Sequence, residues 1–293
     1  MSGFLNSLKE IRRYPSAVIG LGLIILLFAI AIYAMIAIPY KEAVRLWRGG
    51  EAVWFDSPKN AAPTYMNWFR GEKLPATIVL SSDDVEKKVE LDEENEMLKI
   101  SWSHTFDYPY DGFPQELSLF FTSEYIRKNP FMSLYWITPD GREIRIADLA
   151  LDKSGTYRIS QDEKLERRLG GLPPEVGLFA DPASVEAGEP VALPGTYELQ
   201  VSTLFFEPEG DVNTDFVAYG QVHGLAGTDH RRRDLSVALM WGTPIALSFG
   251  LLAAVGTTVT TMIIAAFGVW YGGWVDETIQ RITEVNMILP VLP

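Results

Sequence analysis

The sequence predicts a membrane α-helical protein, with two complete spans and the start of a third, into which an antiparallel β-sandwich-like domain is inserted. Three observations predict it. Residues 16–38 and 245–271 are uncharged apolar runs of 23 and 27 residues. A bilayer core of about 30 Å takes roughly 20 helical residues to cross, so both runs are long enough to span. The stretch between them has the charge and the β-rich composition of a domain that folds in water.

Taken in order, residues 1–15 form a short lead with Lys9, Arg12 and Arg13. Signal peptides have apolar cores of about 7–15 residues, and no small-x-small cleavage site precedes Pro39-Tyr40. The run at 16–38 therefore reads as an uncleaved span. Lys41, Arg45 and Arg48 follow it directly and balance the basic lead, so charge alone leaves the orientation open.

Residues 39–230 are the β-rich domain with its connectors. After a connector holding three tryptophans come segments rich in β-branched and aromatic residues, at 98–106, 116–125 and 132–138. Thr138-Pro-Asp-Gly141 is a turn sequence that predicts a hairpin into 142–149. Further strands are expected at 155–160, 195–206 and 215–225. Short strands punctuated by Gly, Pro and Asp predict an antiparallel sandwich. The charged run 83–96 reads as a solvated strand edge and loop, and 163–169 as a turn or two of helix. No fixed-period repeat is present.

Residues 231–244 read as an interfacial segment, with Pro244 near the start of the second span, where a missing N–H costs little. In that span Gly250, Ala254 and Gly256, with Thr257, Thr258, Thr260 and Thr261, suit close helix packing and interhelical hydrogen bonds. Trp270, Tyr271 and Trp274 mark its far interface. Residues 272–284 read as a turn, and 285–293 begin another apolar run.

Composition excludes several functions. Residues 49–230 hold 32 acidic and 15 basic side chains, against 6 and 10 in the rest of the chain. So acidic a domain is no partner for nucleic acid or for anionic lipid. There is no cysteine, hence neither disulfides nor thiolate chemistry. His104, His223 and His230 show no metal-ligand spacing, and Asp83-Asp84 and Glu93-Glu94 lie in the charged run without an apolar pocket to tune them. Neither a nucleophile elbow nor a phosphate loop occurs. The expectation is a non-enzyme without cofactor, catalytic residues or metal.

Three blocks of residues form a pattern. The first is Gly227-Thr228-Asp229 with Arg233-Asp234, and the second is the aromatic-glycine step Trp241-Gly242. The third is Tyr271-Gly272-Gly273-Trp274-x-Asp276-Glu277 with Arg281, followed by Leu289-Pro290. Together with the first span and its closing Ile38-Pro39-Tyr40, they resemble the C-type membrane permease subunit of dipeptide/oligopeptide ABC importers. The resemblance covers about 110 residues.

The resemblance implies a cytoplasmic N-terminus, an extracytoplasmic β-domain at about 39–244, and a cytoplasmic turn at 272–284 leading into a third span. It implies a plasma-membrane location and a share in a transmembrane pathway for peptides or related solutes. The implied partners are a second permease subunit, two ATP-binding subunits that hydrolyse ATP, an extracellular solute-binding protein and the lipid bilayer. Two departures stand out. Arg232 takes the place of a family glycine, and the inserted domain is far larger than the family's usual loop. The family's E-A-A…G coupling loop lies beyond the third span, so this chain is expected to be the N-terminal part of a permease core. The alternative is a membrane-tethered extracytoplasmic β-sandwich that binds a ligand or partner, with the helices as anchors only.

Overall fold

A computed structural model describes residues 14–50, 53–94 and 96–288, with side chains to 285. The lead residues Lys9, Arg12 and Arg13 and the Leu289-Pro290 step lie outside the described residues. The chain divides into two units. One is β-rich, Val44–Val237, and the other is helical, made of the flanking residues up to Ala43 and from Ala238 onward.

The helical unit contains α1 (Pro15–Ala37), the start of α2 (Tyr40–Arg48), most of α6 (Leu235–Tyr271) and all of α7 (Gly273–Ile288). Both α1 and α6 are long and apolar enough to cross a membrane. At 1.5 Å per residue, α6 runs about 55 Å, well beyond an apolar core of about 30 Å. Within the segment 231–244, α6 already begins at Leu235, which puts Pro244 inside the helix. A proline there removes one intrahelical hydrogen bond, and the helix runs on through it.

The turn expected over 272–284 is also shorter than its sequence suggested. Gly272 and Gly273 both have positive φ, +59° and +52°, and α7 is helical from Gly273 onward. Residues 274–284 contain no proline or glycine to hold them out of a helix. The chain reverses sharply at the glycine pair. A Cβ on Gly268 would lie 3.1 Å from Asp276 Oδ1, whereas eight residues of straight helix span about 12 Å.

The β-rich unit is two antiparallel sheets. The five-stranded sheet has the order β2 (Lys88–Asp92), β3 (Met97–Tyr108), β8 (Gly195–Phe205), β5 (Phe131–Ile137), β6 (Glu143–Ala150). The four-stranded sheet runs β1 (Ile78–Ser81), β9 (Asp211–Tyr219), β4 (Glu116–Glu124), β7 (Ser154–Arg158). Three short helices, α3 (Glu163–Arg168), α4 (Pro174–Gly177) and α5 (Pro182–Glu186), join β7 to β8. The Pro-Asp-Gly turn closes the β5–β6 hairpin as the sequence predicts. Gly141, at φ +83°, donates to the Thr138 carbonyl at 2.9 Å.

Strand alternation sends one side chain in two to the core. Leu98, Ile100 and Trp102 of β3, Leu117 and Leu119 of β4, and Met132, Leu134 and Trp136 of β5 are buried this way. An aromatic cluster of Trp136, Phe179 and Tyr197 packs at 5.0–5.5 Å between centroids. Its polar ends are satisfied: Trp136 Nε1 donates to Leu178 O at 3.0 Å, and Tyr197 Oη donates to Leu193 O at 2.7 Å. With no disulfide available, this core and the strand ladders hold the domain.

Candidate functional site

The first motif block folds into a closed loop over residues 227–234. Gly227 has φ +73°, and a Cβ there would lie 2.2 Å from the Ala61 carbonyl oxygen, so only glycine fits. The Thr228 hydroxyl donates to Pro58 O at 2.7 Å and accepts from Ala61 N at 3.0 Å. The Asp229 carboxylate accepts from the backbone N–H groups of Arg231 (2.8 Å) and Arg233 (2.9 Å) and from Arg233 Nε (2.8 Å). Partial burial pushes its pKa up, but these bonds and the Arg233 charge outweigh that and hold it below the ordinary carboxylate range. Arg233 also stacks on Trp47, its guanidinium carbon 3.8 Å from the ring centre. Asp234 bridges back to Thr228, and its carboxylate accepts from Ser236 N at 2.7 Å, which caps the first turn of α6.

Arg232 is the residue that the motif alone does not explain. Its φ of +65° is the left-handed conformation for which glycine is suited, so an arginine stands in backbone that favours glycine. Its side chain is 6% exposed. The guanidinium donates to Ser57 O at 2.8 Å, pairs with Glu116 at 2.5 Å, and lies 3.9 Å from the Tyr219 ring centre. Burial raises the Tyr219 pKa to about 12 against the opposing charge of Arg232. The Tyr219 hydroxyl donates to Phe55 O at 2.5 Å. Residues 55–62 are thereby held on the outer face of the four-stranded sheet. A cavity of about 430 Å³ remains beside them, lined by Phe55, Lys59, Phe120, Arg158, Asp215 and Tyr219 among others.

The other two motif blocks belong to the helical unit. Trp241 and Gly242 lie in α6, where Trp241 Nε1 donates to Ile38 O at 3.1 Å and its ring meets Tyr40 edge-on at 5.6 Å. Gly272, Gly273, Trp274, Asp276, Glu277 and Arg281 lie at the far end, about 45 Å of helix from Trp241. There Trp274 and Glu277 are exposed, Asp276 accepts from Gln280 at 3.2 Å, and Arg281 pairs with Glu284 at 3.6 Å.

Between α1 and α6 runs an apolar groove of about 690 Å³, with Leu27 and Phe28 opposite Gly242, Ala246, Gly250 and Ala254. A Cβ added at Gly250 or Gly256 would meet nothing within 4 Å. The hydroxyls of Thr257, Thr258 and Thr261 donate to carbonyls four residues back in their own helix, at 2.7–2.8 Å. Among the described residues, no group of three or more His, Asp or Glu is placed to hold a metal ion.

No family model matches the chain. It is 32% identical over 66 residues to the peptidoglycan transport system permease protein YejE of Agrobacterium fabrum. That segment is 22% of this chain, and the chain spans 17% of the length of that relative. Two solved structures give low-scoring likenesses. The structure of TmCBM61 in complex with β-1,4-galactotriose has a TM-score of 0.23 at 11% identity, covering 50% of this chain and 86% of the other. That of infectious bursal disease virus, Gx strain, has 0.16 at 12%, covering 50% and 31%. The chain thus carries a segment similar to a transport permease, beside two helices long enough to span a membrane and a β-domain of two antiparallel sheets.

Proposed function

We propose that the chain contributes membrane helices and an extracytoplasmic domain to a permease subunit of an ABC importer for peptides or related small solutes. The observation that carries this reading is the 66-residue similarity to a transport permease. The open surface at Gly250 and Gly256 supports it, because a permease helix needs room for neighbouring spans. On this reading the N-terminus and the Gly272-Gly273 break are cytoplasmic. A second permease subunit completes the pathway, two ATP-binding subunits supply the energy, and a solute-binding protein delivers the substrate. The chain itself performs no catalysis.

The second reading, a tethered β-sandwich, has one observation in its favour: the α6 threonines spend their hydroxyls inside their own helix, as a lone anchor requires. Uptake of a labelled peptide, in cells expressing the chain with its partner subunits, separates the two. Gly250→Leu with Gly256→Leu is expected to cut uptake at least tenfold while membrane insertion persists. Deletion of residues 50–225 is expected to impair uptake too. Unchanged uptake by the glycine variant would leave the helices as anchors.

A further inference from the structure

The three most exposed large apolar side chains described in the β-rich unit are Trp68 at 84%, Phe69 at 81% and Leu225 at 74%. They are brought to one place by hydrogen bonds. Thr64, at the start of the 3₁₀ turn Thr64–Trp68, donates through both its N–H and its hydroxyl to Gly224 O, each at 2.9 Å. His223 N donates to Ala62 O at 2.8 Å. Tyr65 and Met66 add two more exposed side chains to the same turn.

The exposure is built in. Asn67 closes the loop by a pair of bonds, donating to Leu74 O at 2.9 Å and accepting from Leu74 N at 3.1 Å. Phe69 N donates to Met66 O at 3.2 Å. The backbone is thus fixed with Trp68 and Phe69 held outward. A contiguous exposed patch of this kind marks a contact surface.

We propose that this patch inserts into the interfacial region of the bilayer and holds the β-domain at the membrane surface. The proposal rests on α1 and α6 being membrane spans. Two observations favour lipid over a protein partner. Trp, Tyr and Phe on one loop is the composition that membrane–water interfaces select. Both segments also lie close in sequence to the spans: Leu225 is ten residues before α6, and Thr64–Trp68 begins 27 residues after α1 ends. The acidic balance of the domain gives no attraction to anionic headgroups, so apolar insertion carries the contact and zwitterionic lipid suffices.

The natural absence of cysteine makes the test direct. The full chain is placed in phosphatidylcholine nanodiscs with a single environment-sensitive probe at Trp68→Cys, Phe69→Cys, Ile126→Cys or Phe249→Cys. Ile126 is an exposed apolar residue outside the patch, and Phe249 is an exposed residue of α6. Probes at 68, 69 and 249 are expected to show blue-shifted emission and quenching by doxyl-labelled lipid at least threefold stronger than at 126. A probe at 249 in lipid with those at 68 and 69 in water overturns the proposal, and so does shielding of 68 only on adding a solute-binding protein. Water at 249 as well would instead overturn the spanning reading beneath it.

Discussion

The guanidinium carbon of Arg232 lies 3.9 Å from the centre of the Tyr219 ring, held there by a backbone at φ +65°. An L residue in that conformation costs about 1–2 kcal/mol, and the contacts of the side chain must exceed this. They include the 2.5 Å pair with Glu116, and removing one partner of a buried pair costs about 3–5 kcal/mol. Arg232→Gly relieves the strain but strands Glu116, so a net loss of about 2 kcal/mol is expected. Glu116→Gln added to it should cost little more, because the two side chains act as one unit. Thermal unfolding of the four species measures this. Wild-type stability in Arg232→Gly would mean that strain and contacts cancel.

Gly227 meets a harder constraint than Arg232. A Cβ would sit 2.2 Å from a backbone oxygen, which has no flexible end to yield, and the φ of +73° adds its own cost. Gly227→Ala is expected to destabilise the domain by about 2 kcal/mol or more and to loosen the capped start of α6. Hydrogen exchange should then quicken at Ala61 and Thr228, whose N–H groups both bond across this approach. Unchanged exchange there would show that the loop re-forms around the methyl group.

His104 sets a pH dependence near neutrality. It is buried on the inner face of β3, with Nε2 lacking a protein partner. Burial lowers its pKa below the ordinary 6.5, and the charge of Asp84 opposes this only in part. The unfolded chain therefore takes up a proton near pH 6.5, before the folded chain does. Stability is full above that pH and falls as pH drops from 6.5 toward the folded pKa. Each tenfold difference in proton affinity between the two states is worth about 1.4 kcal/mol. The urea midpoint should thus be lower at about pH 5 than at about pH 7.5, and His104→Leu should remove most of the difference. The depressed carboxylates Asp162 and Asp229 lose their contribution only below their ordinary pKa of 3.8, outside this window.

Strands were legible where burial left a pattern. β3 alternates Leu98, Ile100 and Trp102 against Lys99, Ser101 and Ser103, and β8 and β5 follow suit. The charged run 83–96 holds the solvated edge strand its sequence suggested: β2, Lys88–Asp92, lies at the edge of the five-stranded sheet with every side chain exposed. β1 is only four residues long. The last strand runs Asp211–Tyr219 and stops short of the 215–225 expected. Gly220 presses so close to Ala76 that a Cβ there would lie 2.4 Å from its carbonyl carbon. In the site, Gly227 and Asp229 stood out in the sequence only as members of a motif, and the loop they close became visible in the structure. The partners of Arg232 were not readable, since Ser57 and Glu116 lie 175 and 116 residues away in sequence. The readable sign was Arg232 itself, where the resemblance led one to expect glycine.

The reversal at Gly272-Gly273 makes the last prediction. Two consecutive residues at positive φ each charge an L side chain about 1–2 kcal/mol, whereas an uninterrupted α-helix charges alanine nothing. Gly272→Ala with Gly273→Ala should therefore favour fusing α6 and α7 into one rod. Spin labels at Ile264→Cys and Gln280→Cys report this without background, since no native cysteine competes. Sixteen residues of continuous helix span about 24 Å. With both glycines present the chain turns back between the labels, so their separation should fall well short of that. In the double alanine variant it should lengthen toward it. A separation near 24 Å with both glycines in place would mean that the reversal is absent from the protein in its membrane, and that the close approach of Gly268 to Asp276 is absent with it.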